Sequence, residues 1–238
     1  MAALIHPQLP LGVVPGELYT FDSLVTASNP VLIETARYLA QGDGERQLFL
    51  WGESGSGKSH LLQACCNHAA RHGLTVCYLT RNEIRNEIGS QSTDMFEGLE
   101  QLDLVCLDDV DQWLLEADWQ LALFSLINRV RDAGHRIVLA SSIAPDESFV
   151  TLPDLRSRLA WGPVFQLHAL SDEDKNAALR YRAGHNSLGL PETVADYLIQ
   201  RYPRDMFGLF ERLAELDKAA MAAKRRLTIP LVKSVFGE

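Results

Sequence analysis

Gly52-Glu53-Ser54-Gly55-Ser56-Gly57-Lys58-Ser59 is the stretch that decides the fold of this chain. It fits the spacing G-x-x-x-x-G-K-[ST] at every fixed position, and each position answers a physical demand. The glycines let the backbone curl around an anion and turn successive N–H groups toward it. Lys58 brings a point charge to the β- and γ-phosphates, and the Ser59 hydroxyl suits Mg²⁺. A helix opening near Lys58 adds its positive dipole end. The competing reading is a chance glycine-rich turn, and the flanks weigh against it. Gln47-Leu48-Phe49-Leu50-Trp51 reads as a buried strand entering the loop, and Leu61, Leu62 and Cys65 recur at helical spacing beyond it. Gly52, Ser54, Gly55, Ser56, Gly57, Lys58 and Ser59 are therefore candidate phosphate-binding residues.

Working outward, strand and helix patterns alternate. Asn29-Pro30 is a cap and first-turn pair for a helix running to about Ala40. Strands are expected at Thr75–Leu79, Asp103–Asp108, Arg136–Ser141 and, shorter, Val164–Leu167. A helix from about Trp113 or Asp118 should stop at Gly134. Alternation of this kind implies α/β architecture: a five-stranded parallel sheet with helices on both faces. After Leu170 the strands cease. Ser171-Asp172-Glu173-Asp174 is a capping box, and helices are expected to about His185, then at Pro191–Arg201, Arg204–Ala223 and Thr228–Phe236. The expected organisation is an extended arm over 1–18, an α/β nucleotide-binding domain over 19–168 and a small helical lid over 169–238.

Composition narrows the function classes. The 238 residues carry a net charge of −9, which disfavours a protein that holds DNA by neutralising its phosphates along a broad surface. Cys65, Cys66, Cys77 and Cys106 lack C-x-x-C spacing and read as buried reduced thiols, as expected of a cytoplasmic protein. There is no apolar run long enough to span a membrane and no secretory leader pattern.

Four further groups of residues bear on chemistry. Leu104-Val105-Cys106-Leu107 is an apolar strand ending in Asp108-Asp109. Ligands gather at the carboxyl ends of parallel strands, so Asp108 is a candidate for the Mg²⁺ shell and Asp109 for polarising an attacking water. Ser141-Ser142, at another strand end, reads equally as a γ-phosphate contact or as ordinary loop serines. Arg156 and Arg158, beside Trp161, read equally as an arginine finger for a neighbour's site or as packing on the indole. Arg204, near the start of a lid helix, reads by default as a solvated arginine and is also a candidate phosphate contact. In the arm, Gln8-Leu9-Pro10-Leu11 is a polar anchor followed by alternating apolar residues, which reads as a pocket-inserting peptide or as a plain tail.

Taken in order, these residues resemble an AAA+ module of the DnaA group, from Tyr19 to the C-terminus. Tyr19-Thr20-Phe21-Asp22 resembles the group's N-terminal box near the nucleotide base. Gly57-Lys58-Ser59-His60-Leu61-Leu62, with Ala64 and Asn67, is similar to its phosphate-loop helix. Asp108-Asp109 matches its Walker B pair. Ser157-Arg158-Leu159 before Trp161-Gly162 matches the box that carries the arginine finger. Arg204-Asp205-Met206 resembles the sensor-two helix. Ser142 departs from the pattern, falling where the group has an acidic sensor-one residue. The resemblance implies nucleotide contacts from Tyr19, Phe21, His60 and Arg204, and a trans finger role for Arg158.

Within the group, Gln8-Leu9-Pro10-Leu11, Leu170–Lys175 and Leu227-Thr228-Ile229-Pro230 resemble the regulatory inactivators of the initiator DnaA. No helix-turn-helix domain is expected after the lid. The resemblance implies bound adenine nucleotide (ADP rather than ATP) with Mg²⁺, and docking through Gln8, Leu9 and Leu11 on the DNA-loaded sliding clamp, the β subunit of DNA polymerase III. It implies stimulated hydrolysis of DnaA-bound ATP, with little turnover by the protein alone, no sequence-specific DNA binding, and a possible homo-oligomer. The alternatives are a DnaC-like helicase loader acting on single-stranded DNA, or a stand-alone P-loop kinase or ATPase, which would leave the Arg158 box and the lid without a role.

Overall fold

A computed structural model describes residues 19–24, 29–81, 96–147, 150–185, 188–202, 206–223 and 225–237. The chain forms two compact units, one built chiefly on Asn29–Glu53 and Lys58–His168, the other chiefly on Ala169–Glu238.

The first unit is a five-stranded sheet in the order β2-β3-β4-β1-β5, with every pairing parallel. Its strands are β1 (Gln47–Trp51), β2 (Val76–Leu79), β3 (Leu104–Leu107), β4 (Arg136–Ser141) and β5 (Val164–Gln166). The inner strands β1, β3 and β4 are buried along nearly their whole length. Helices cover both faces, so the strands read as continuous apolar runs rather than alternating ones. Chain order jumps from β1 across to β2 and returns through β3 and β4. The carboxyl end of β1 therefore lies where strand order reverses, the position at which open α/β sheets bind ligands.

Each helix has a local cause. In α1 (Pro30–Ala40), the Asn29 side chain accepts from Leu32 N at 3.1 Å, and Pro30 supplies the preset first turn. Helix α2 (Lys58–Arg71) leaves the phosphate loop and buries Leu61, Leu62, Cys65, Cys66 and Ala69. The stretch after β3 forms two helices where the sequence pattern indicated one: α3 (Val110–Trp113), then α4 (Ala117–Asp132). Trp119, Leu123, Leu126, Ile127 and Val130 form one buried stripe of α4, which ends before Gly134 at φ +79. A further helix, α5 (Pro153–Leu159), lies in the arginine box, where the sequence pattern had indicated no regular element. Pro153 at its start sets the helical φ without needing a donor. The core joins Phe49, Val105, Leu107, Trp113, Trp119, Leu126 and Leu139.

The regular elements described in the second unit are all helices: α6 (Asp172–His185), α7 (Glu192–Arg201), α8 (Met206–Ala223) and α9 (Ile229–Phe236). The capping box forms as the spacing requires, with Asp174 N donating to Ser171 Oγ at 3.1 Å and Ser171 N to Asp174 Oδ2 at 3.2 Å. Thr228 caps α9 by accepting from Leu231 N. Leu179, Leu198, Leu209, Leu213, Leu216 and Val232 make this unit's own core. No helix among the described residues is long and apolar enough to cross a membrane.

Candidate functional site

The loop between β1 and α2 has the backbone its glycines permit. Gly55 and Gly57 adopt φ of +78 and +97, values that side-chain-bearing residues rarely take. Gly52 N donates to Ser141 O at 3.2 Å, tying the start of the loop to the end of β4. Lys58 turns back on the loop, and its Nζ donates to Gly52 O at 2.7 Å and Glu53 O at 2.9 Å. Burial lowers its pKa, while Asp108, Asp109 and Asp111 oppose that shift. Ser56 Oγ is buried with no hydrogen-bond partner among the described residues. A buried hydroxyl left unspent costs free energy, and an oxyanion in the loop would satisfy it. Ser54 is exposed on the loop, and Ser59 is exposed in the first turn of α2.

The paired carboxylates sit just past β3. Asp108 is 1% exposed, and each of its oxygens accepts one hydrogen bond: Tyr78 Oη donates to Oδ2 at 2.8 Å and Asp109 N to Oδ1 at 2.9 Å. Its carbonyl accepts from Trp113 Nε1 at 2.9 Å. Asp109 holds φ +51, the only non-glycine with positive φ among the described residues. Strain of this kind persists only where the surroundings enforce it. Burial, then repulsion from Asp108 and Asp111, pushes the Asp109 carboxyl up to about 6, with Lys58 pulling the other way. Hard oxygens from Asp108 and Ser59 are the donor type that Mg²⁺ takes beside nucleotide phosphates. The excess negative charge at Asp108, Asp109 and Asp111 is what a cation would neutralise.

Asp111 was not singled out by its sequence, yet it joins this cluster. Its carboxylate accepts from Ser142 N at 2.9 Å and from Ser142 Oγ at 2.6 Å. The position where the AAA+ resemblance called for an acidic residue holds serine, and a carboxylate from α3 is bound to that serine. The signal was present as a third aspartate in Asp108-Asp109-Val110-Asp111. Only the fold brings it to Ser142, 31 residues on.

Tyr19–Phe21 lies along α2. Asn67 Nδ2 donates to Tyr19 O at 2.6 Å, and His60 Nε2 lies 3.2 Å from Thr20 O. The Tyr19 and His60 rings meet edge to face, as do Phe21 and His68, and Arg37 stands over Phe21. Tyr19, Phe21 and His60 are thus fixed to the helix that begins with Lys58. Arg204 and the arm residues Gln8, Leu9 and Leu11 lie outside the described residues.

Arg158 is elsewhere. It lies in the last turn of α5, and its carbonyl accepts from Gln47 Nε2 at 2.6 Å, with Leu159 O accepting from the same nitrogen at 3.2 Å. Gln47 is the first residue of β1, whereas the phosphate loop follows the last. A β-carbon on Gly162 would run into the Gln47 carbonyl, so the chain after Trp161 presses against the same strand end. The four steps of β1 span about 13 Å, more than an arginine side chain reaches. The structure assembles Lys58, Asp108, Asp109, Asp111 and Ser142 at the carboxyl ends of the strands and puts the Arg158 backbone at the amino end of β1.

All four cysteines are free and buried, and burial pushes the Cys65 and Cys106 thiols well up, which keeps them unreactive.

Comparison with known proteins yields consistent findings. The family described as bacterial DnaA ATPase domain matches residues 16–166, and the one described as Hda, lid domain, matches residues 172–236. An uncharacterized protein of Haemophilus influenzae is 37% identical over 233 residues, covering 98% of this chain and 99% of that one. Domain III of the Thermotoga maritima replication initiation protein DnaA superposes with a TM-score of 0.77 at 22% identity, over 93% of this chain and 96% of that one. AMPPCP-bound DnaA from Aquifex aeolicus superposes with a TM-score of 0.65 at 23% identity, over 83% of this chain and 65% of that one. These two likenesses establish the AAA+ fold.

Proposed function

The chain belongs to the bacterial DnaA ATPase-domain family and carries an Hda-type lid, and from that premise we propose that it is a nucleotide-bound inactivator of DnaA. In this reading the protein holds an adenine nucleotide, ADP in its working state, between the Gly52–Ser59 loop and the Tyr19–Phe21 strap. It docks on the DNA-loaded sliding clamp through Gln8, Leu9 and Leu11. From there it offers Arg158 to ATP bound by DnaA, converting the initiator to its ADP form and suppressing replication initiation.

The observation that carries the proposal is the place of Arg158. An arginine fixed at the first residue of β1 is out of reach of the phosphates its own loop would hold, and its guanidinium has no hydrogen bond among the described residues. A charge that cannot serve its own site is free to serve another. In phosphoryl transfer an arginine supplied by a partner neutralises developing charge and is worth ~10³–10⁵ in rate. Within its own site, Lys58 and the loop amides would cradle the phosphates, Ser59 and Asp108 would hold Mg²⁺, which would supply charge neutralisation there, and Asp111 stands at Ser142 where the resemblance has a sensor carboxylate. The acidic net charge fits a role in which the clamp supplies the DNA.

The decisive measurement is hydrolysis of DnaA-bound ATP with and without clamp loaded on DNA. The protein should accelerate it only with loaded clamp, and Arg158→Ala should lower the stimulated rate by ~10³-fold or more while leaving clamp binding and its own nucleotide affinity intact. Gln8→Ala with Leu11→Ala should remove clamp binding instead. Absence of stimulation by the wild-type protein sinks the reading. Clamp-independent binding to single-stranded DNA would favour a helicase loader.

A further inference from the structure

Arg158 does not stand alone. Its guanidinium carbon lies 3.7 Å from the centroid of the Trp161 ring, and that of Arg131 lies 3.5 Å from the same centroid. Two cations so near one centroid occupy opposite faces, because on a single face they would overlap. Arg131 comes from the last turn of α4 and Arg158 from the last turn of α5, so the indole is clamped between two helix ends. The Phe124 ring lies 5.8 Å from Arg158 and closes the stack on α4. Among the described residues neither guanidinium makes a hydrogen bond or an ion pair, and Arg158 Nε is buried without a partner. In a chain with 31 acidic residues against 22 basic ones, two adjacent arginines without a carboxylate need a reason.

We propose that Trp161, backed by Arg131, is a positioning residue for Arg158. The inference rests on the trans reading above and deepens it. An arginine engaging a phosphate must give up the rotamer freedom of a long side chain, and a guanidinium already laid flat on a rigid ring has given up most of it. The backbone beneath is equally fixed: Gln47 holds the Arg158 and Leu159 carbonyls, Trp161 N donates to Arg158 O at 3.2 Å, and Gly162 abuts β1. With Nε turned into the protein, the Nη donors are the ones left for a partner. Arg131 holds the far face of the indole and keeps the ring from swinging away. The two like charges across the ring also repel, so the stack orders Arg158 without locking it, and an incoming triphosphate relieves that repulsion.

The test is single-turnover hydrolysis of DnaA-bound ATP, driven by the full protein with clamp on DNA, comparing Trp161→Leu, Trp161→Phe and Arg131→Leu. Leucine keeps an apolar side chain of branched bulk but has no π face. Trp161→Leu is expected to lower the maximal stimulated rate by about tenfold at unchanged half-saturating concentration, the size that misaligning a prepaid group produces. Trp161→Phe should stay within about threefold of wild type, and Arg131→Leu should fall between them. Unchanged melting temperatures would show that the losses are not unfolding. Wild-type rates with Trp161→Leu overturn the inference, as does an increased rate, which would mean that the stack sequesters the finger rather than presenting it. A Trp161→Phe loss equal to that of Trp161→Leu overturns it as well. The two readings fail separately: a wild-type rate with Arg158→Ala removes the trans role itself, whereas loss in Arg158→Ala with a harmless Trp161→Leu removes only the positioning role.

Discussion

The two ends of β1 are built on opposite principles. At the carboxyl end the charged groups are engaged within the protein: Lys58 bonds its own loop, Asp108 accepts from Tyr78 and the Asp109 amide, and Asp111 is bound to Ser142. Negative charge is nevertheless in excess there, and Asp109 is both strained and pushed up in pKa. At the amino end the backbone is tied down and the charged groups, Arg131 and Arg158, have nothing paired to them. In the proposed function one end is the receptor for a nucleotide and a cation, and the other is a rigid donor whose counterpart lies on another molecule. The same five-residue strand separates the two, which in that reading keeps Arg158 from being drawn into its own site.

Separating the two ends gives the largest expected effects. Arg158→Ala should cost the partner reaction ~10³-fold or more while the protein's own nucleotide affinity stays level. Lys58→Ala should do the converse, weakening nucleotide binding by about 100-fold, as expected when charge-assisted hydrogen bonds to phosphate are removed. Isothermal titration with ADP reads the second. If Arg158→Ala also released the protein's own nucleotide, the two ends would not be independent and the comparison would fail.

A medium effect tests the rigid base. In Gly162→Ala the new β-carbon meets the Gln47 carbonyl, which is backbone and cannot turn aside. The neighbouring Pro163 carbonyl accepts from Phe49 N at 3.0 Å, so the strain passes into the β1–β5 pairing. Overpacking of this kind costs roughly 1–3 kcal/mol. Calorimetry should show a melting temperature lower by several degrees, and stimulated hydrolysis should fall further than nucleotide affinity does. Equal losses in the two activities would mean that Gly162 supports the whole sheet rather than the Arg158 end of it.

These ends were not equally legible in the sequence. The phosphate-loop end was, because loop, strand and helix are consecutive and each position is fixed by local chemistry. β1, the start of α2 and β4 fall where the apolar runs and the motif put them. The Arg158 end depends on contacts between residues far apart in the chain. Gln47 gave no sign of binding carbonyls 111 and 112 residues later, nor did Arg131 of sharing an indole with Arg158. Helix α5 escaped notice because it is one short element with no side-chain cap, recognisable only by Pro153. Asp111 escaped for the same physical reason as Gln47: its partner is set by the packing of α3 against β4, and spacing along the chain does not encode that.

The smallest effect tests the excess of negative charge at the carboxyl end. An ordinary aspartate titrates near 3.8, and in the folded protein Asp109 is raised to about 6. Between those values the native state binds more protons than the unfolded chain does, so the stability this group confers falls as pH rises from 4 to 6, and the full penalty is present above 6. Asp109 is about half exposed, and solvent screens part of the penalty. Asparagine tolerates the same left-handed backbone and keeps the amide that donates to Asp108, but it cannot ionise. Without nucleotide or Mg²⁺, Asp109→Asn should therefore melt above wild type at pH 7.5 by about one or two degrees, with the gap closing toward pH 5. A gap that did not change with pH would locate the strain in the backbone rather than in the charge. Arg158→Ala, measured alongside, should show no such pH-dependent gain, because it leaves the Asp109 carboxyl and the groups around it untouched.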